Sequence, residues 1–89
     1  MTTLFVRHAV ADYAAWRKVY DSFAPVQQAN GVTAQTVYQS AHDPNDVTVT
    51  HDFASLDAAQ DFLGKPELKA AMQKAGVVGA PTIWITNKA

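Results

Sequence analysis

His8 and His51 are the side chains of this 89-residue chain best suited to exchanging a proton at neutral pH. An unperturbed imidazole titrates near pH 6.5, so small changes of environment decide its charge. Each histidine sits in a run of alternating character, "LFVRHAV" (4–10) and "VTVTHDF" (47–53). Successive side chains of a strand point to opposite faces. Leu4, Val6, His8 and Val10 therefore share one face, with Phe5, Arg7 and Ala9 opposite. Val47, Val49, His51 and Phe53 share a face against Thr48, Thr50 and Asp52. Both histidines thus belong to apolar rows that must face the core. On neighbouring antiparallel strands they are expected to lie two to four residues apart, roughly 7–14 Å, flanking one small cavity. There, either could serve as a general base on a bound ligand. The alternative is that each is a core-edge histidine bonded to a backbone carbonyl or a neighbouring side chain.

Other chemistries find less support. No third ligand stands at a useful spacing for a metal held by the two histidines. His42, Asp43, Asn45 and Asp46 lack the longer ligand pattern of an EF-hand and read as turn chemistry. The segment with Gly76 and Gly79 lacks the Lys-Ser/Thr ending of a phosphate loop. No serine occupies a nucleophile-type turn, and the chain has no cysteine, which excludes disulfides and thiolate catalysis. No cofactor is expected. The formal net charge is −1, with seven Lys and Arg scattered rather than clustered, which disfavours nucleic acid and acidic membranes as partners. No apolar run reaches the length of a membrane span and no basic-then-apolar leader opens the chain, so a cytoplasmic location is the default expectation.

These residues need elements to position them. Residues 3–10 read as the first strand. Asp12 offers a helix N-cap, behind which Tyr13, Trp16, Tyr20 and Phe23 recur at steps of three and four along one helical face. By spacing these aromatics are core, with polar ends on Tyr13, Trp16 and Tyr20 that need partners. Pro25 breaks or kinks the helix, and "ANG" (29–31) ends it. "VTAQTVYQS" (32–40) and residues 47–53 form a hairpin about the turn "HDPND" (42–46). Ser55 caps a second helix that buries Ala59, Phe62 and Leu63; Gly64 and Pro66 stop and restart it, and Leu68, Ala71, Met72 and Ala75 continue the stripe. "AGVVGAP" (75–81) reads as a loop and "TIWIT" (82–86) as the last strand, with Ile83 and Ile85 toward the helices.

The order β-α-β-β-α-β predicts one ferredoxin-like α+β domain over residues 1–89, a four-stranded antiparallel sheet with two helices on one face. The other face is left bare. With 48% hydrophobic residues and 17% charged, the chain has apolar surface in excess of what one small core consumes. That favours a homodimer with the bare faces paired into a barrel. Arg7, Trp84 and Asp52 are expected on this dimer-facing side, with the Arg7 guanidinium stacked on Trp84 and Asp52 in an ion pair.

The stretches "RHAVADYAAW", "DPNDVTVTHDF" and "PELKAAMQKAGVVGAP" resemble the antibiotic-biosynthesis-monooxygenase-like superfamily of dimeric α/β barrels, in a branch of cyclase- and monooxygenase-like proteins. The resemblance spans nearly the whole chain. Its haem-degrading branch uses an Asn, a Trp and a His where this chain has His8, Phe53 and Met72, so haem degradation is not implied. What is implied is a ligand cavity between sheet and helices, and cofactor-free oxygenation or cyclisation of an aromatic or polyketide-like molecule. His8 or His51 would be the base, with Trp16, Phe53 and Met72 as walls and Tyr13 as a further contact. The alternative is a non-catalytic dimeric ligand-binding or stress-associated protein whose histidines are structural.

Overall fold

A computed structural model describes residues Met1–Ala89. Its elements run β1 (Thr2–Val10), α1 (Tyr13–Ser22), α2 (Ala24–Ala29), β2 (Ala34–Gln39), β3 (Asp46–Phe53), α3 (Leu56–Leu63), α4 (Pro66–Lys74) and β4 (Val77–Asn87). The strands form one antiparallel sheet in the order β2-β3-β1-β4, the ferredoxin-like arrangement. No helix is long and apolar enough to cross a membrane.

The two expected helices are each present as two segments. Pro25 stands in the first turn of α2, where its missing N–H costs nothing, and Pro66 opens α4 in the same way. The caps fall where their side chains require. The Asp12 carboxylate accepts from the Ala15 N–H at 2.9 Å, and Ser55 Oγ accepts from the Ala58 N–H at 3.2 Å. Gly31, at φ +91°, takes the left-handed conformation that closes α2.

The last strand departs from the sequence reading. Residues 77–81 are not loop but the first half of β4, pairing Val77 with Val10 and Val78 with Ala9. The register then slips, because Arg7 pairs with Thr82 while Ala9 pairs with Val78. One residue of β1, His8, is thus spanned by three of β4, and the surplus of two is absorbed at Gly79–Pro81. Gly79 adopts φ +74° there, and Pro81, which has no N–H to donate, falls in the interrupted stretch of an edge strand. Glycine and proline disguised a bulged strand as a loop.

The core lies between the sheet and the helices. Leu4, Val6, Val10, Val47, Val49 and Phe53 from the strands meet Trp16, Tyr20, Ala59 and Phe62 from the helices. Alternation therefore sorts β1 and β3 as expected, and both histidines lie on the covered face: His8 is 6% exposed and His51 3%.

Candidate functional site

The β1–β3 register pairs Leu4 with His51 and His8 with Val47, which sets the two histidines four residues apart on adjacent strands. Both border one cavity. Its floor is Val6, Val49 and Ile83 of the sheet; its roof includes Trp16 and Tyr20 of α1, Phe62 of α3, and Leu68 and Met72 of α4. It encloses about 40 Å³, room for about three waters. Helix α4, which lines it with Leu68, Ala71 and Met72, contributes no fully buried residue.

An aromatic row connects the histidines. The His8 ring meets Trp16 edge-on at 5.7 Å, Trp16 stacks on Tyr20 at 4.8 Å, and Tyr20 lies 6.1 Å from His51. The histidines differ in their partners. His51 Nε2 lies 3.1 Å from the Tyr20 hydroxyl and 3.4 Å from the amide nitrogen of Gln27, itself buried. Its Nδ1 is buried and unpaired. On His8 both ring nitrogens are buried and unpaired. Leaving such a group unsatisfied costs about 1–3 kcal/mol.

Burial disfavours the imidazolium in both cases. It lowers the His8 pKa below 6.5, against a smaller opposing pull from Asp46. It lowers His51 to about 4, against a smaller pull from Asp52. Both rings are therefore neutral at pH 7 and each offers one lone pair. Burial pushes the Tyr20 hydroxyl up to about 12, so it stays protonated. No three His, Asp or Glu side chains come together as a metal cluster.

Of the expected walls, Trp16 and Met72 line the cavity but Phe53 and Tyr13 do not. Phe53 lies at the far end of β3, paired with Thr2, and is fully enclosed against Phe62 at 5.5 Å. Tyr13 opens α1 beyond Trp16, half-buried, with its hydroxyl 3.5 Å from Arg17 Nη1. Tyr20, expected as a core aromatic whose hydroxyl needs a partner, finds one here; Gln27 and Gln35, which complete the polar part of the site, carry no signal in the sequence. Gln35 becomes conspicuous only once the hairpin register sets it opposite His51.

The bare face also needs correction. Arg7 does not stack on Trp84; it makes a two-point ion pair with Asp46, at 2.7 and 3.1 Å. That hydrogen bonding raises the Arg7 pKa and lowers that of Asp46. Trp84 stacks instead on its cross-strand partner Phe5, with centroids 5.1 Å apart and the rings 8° from parallel. Asp52 forms no ion pair and accepts from the Thr3 hydroxyl at 2.7 Å. Asp46, read as part of the turn, thus has the role expected of Asp52. All these groups share the uncovered face with Tyr38 and Thr82.

A four-stranded sheet roofed by kinked helices over a small apolar cavity defines a ferredoxin-like α+β protein. The family is set by the sequence: the model for antibiotic biosynthesis monooxygenases matches residues 5–74, and the chain belongs to that family. Solved structures agree in fold. A Bordetella bronchiseptica protein of this family superposes with a TM-score of 0.85 at 15% identity, covering 99% of this chain and 96% of its own. SnoaB, a cofactor-independent oxygenase from Streptomyces nogalater, gives 0.81 at 15% identity, over 99% and 92%. A Caulobacter crescentus protein gives 0.79 at 24% identity, over 99% and 89%. No curated protein matches the chain.

Proposed function

We propose that the chain binds a small, neutral, aromatic or polyketide-like molecule carrying a phenolic or enolic O–H, and oxygenates it without a cofactor. The observation that carries this reading is the His8 ring, buried on the cavity wall with no partner on either nitrogen. A fold retains such a group at a cost when a ligand supplies the missing bond. The neutral ring accepts the O–H proton, giving an imidazolium and an electron-rich anion. With oxygen, a phenol that has a free para C–H becomes a quinone: one oxygen atom enters the ring, the other leaves as water, and the phenol supplies all four electrons. No external reductant is required. With both histidines neutral and Arg7 on the opposite face, no cation faces the cavity, which favours an O–H donor over a carboxylate. Membership of the family and the likeness to SnoaB support the reading.

The test uses phenol, with benzoate as control, followed by Trp16 fluorescence in a Trp84→Phe background. Phenol binds and benzoate does not. His8→Leu lowers phenol affinity at least tenfold while raising the urea midpoint, because an unsatisfied polar group is replaced by an apolar one of similar size. Oxygen uptake with phenolic substrates falls in the same variant by about 10²–10⁴-fold, the usual contribution of a general base. Phenol affinity unchanged in both His8→Leu and His51→Ala would falsify the site. Oxygen uptake absent for every phenol, with binding intact, favours the non-catalytic ligand-binding alternative.

The bare face is proposed as the contact between two copies. Trp84 is 41% exposed and Tyr38 55%, and the Phe5–Trp84 stack lies among them on a sheet face with no helix over it. Sedimentation at micromolar concentration is expected to show a dimer, converted to monomer by Trp84→Glu. A wild-type monomer contradicts the pairing.

A further inference from the structure

Three elements converge on the His51 ring. Gln35 stands directly opposite His51 across the β2–β3 ladder, so both side chains rise from the same face. Tyr20, from α1, descends between them. Its hydroxyl donates to Gln35 Oε1 and meets His51 Nε2 at 3.1 Å. A tyrosine hydroxyl has one proton. Once that proton is given to Gln35, the oxygen can only accept from His51. A neutral His51 must then carry its proton on Nε2, and its lone pair falls on Nδ1, which is buried and unpaired. The Gln27 amide nitrogen faces Nε2 at 3.4 Å, and the Nε2–H form requires that amide to make a half-turn, which exchanges its nitrogen and oxygen and presents an acceptor to the N–H.

We infer that Tyr20 and Gln35 are positioning residues that hold His51 as the Nε2–H tautomer, making Nδ1 a dedicated hydrogen-bond acceptor for an O–H-bearing ligand. The packing supplies the rigidity this requires. Tyr20 is clamped between Trp16, at 19° to its ring, and His51, at 27°. Its phenol remains a donor across the working pH range because burial opposes its ionisation. His8 has no such anchor, so the cavity pairs one imidazole of fixed polarity with one free to take either tautomer. The ligand half of this inference rests on the reading above, whereas the tautomer is a property of the protein alone, so the two can fail separately.

Long-range ¹H–¹⁵N correlation of the histidine rings in ligand-free ¹⁵N-labelled protein at pH 7.5 tests it. Wild type is expected to show His51 with an unprotonated Nδ1 shift and a protonated Nε2 shift. Gln35→Leu releases the Tyr20 proton toward Nε2, so His51 shifts toward the Nδ1–H form. Tyr20→Phe removes the acceptor, and the two ring shifts converge. Gln35 is on the exposed strand β2, so its variant answers the question even where Tyr20→Phe fails to fold. A wild-type ring in the Nδ1–H form or with averaged shifts overturns the inference, as does Gln35→Leu with the wild-type pattern. Adding phenol to the wild-type sample is expected to move the Nδ1 signal. An unmoved signal with the tautomer as stated removes the ligand half alone.

Discussion

Between pH 7.5 and pH 4.5 the protein is expected to lose roughly 2–3 kcal/mol of stability through His51. The unfolded chain carries this imidazole near 6.5, whereas burial in the fold lowers it to about 4. Between those values the unfolded chain binds a proton that the folded ring excludes. Stability is therefore full above about pH 6.5 and declines as the pH falls toward 4. His8, also lowered by burial, adds in the same direction. Asp46 acts in a lower window: its pKa is held below the ordinary 3.8, so its contribution is lost only as the pH falls through that depressed value. A loss of this size is a large share of the 5–15 kcal/mol that usually holds a domain together. Urea titrations at the two pH values measure it, and the slope should flatten in His51→Gln. Equal midpoints in wild type, or an unchanged slope in the variant, would show that His51 titrates normally in the fold.

Phe53→Ala is expected to cost about 3–5 kcal/mol, the range for emptying a buried aromatic site. Phe53 is fully enclosed at the junction of β3 with α3, tilted against Phe62, and no relaxation of the surface can fill its place. Its effect on ligand is expected to be nil, because it does not border the cavity. Phe53→Leu, which keeps the fold, should leave phenol affinity within about twofold of wild type, whereas Met72→Ala, on the cavity wall, should weaken it. Phe53→Leu losing as much affinity as Met72→Ala would restore Phe53 to the ligand site.

These contrasts mark what the residues reveal unaided. Period-two alternation is intrinsic to a strand, so the placement of His8 and His51 under the helices followed from two short runs. The same rule put Arg7 and Trp84 on the other face, yet could not say what they touch there. Arg7 stands opposite Thr48, and Asp46 is the diagonal neighbour within reach of a long guanidinium; Asp52 lies at the other end of the strand, beside Thr3. Choosing between the two carboxylates needs the register. Trp84 meets Phe5 for the same reason. The Tyr20–Gln35–His51 contact joins three elements distant in sequence, and no local pattern marks it. The first half of β4 was hidden differently, since Gly79 and Pro81 carry the local signature of a turn and only pairing with β1 overrides it.

That slip in β4 also bears on how copies of the chain can meet. An eleven-residue strand at the rim of a sheet, if straight, offers a ladder onto which another chain could add, and another onto that, without end. With Gly79 in the left-handed region and Pro81 donating nothing, the rim is bent and its hydrogen-bonding row is broken midway. Growth along this border has no continuous template. Apart from the short six-residue edge of β2, what remains open to a second copy is the flat of the sheet, where a twofold contact uses up the surface that made it.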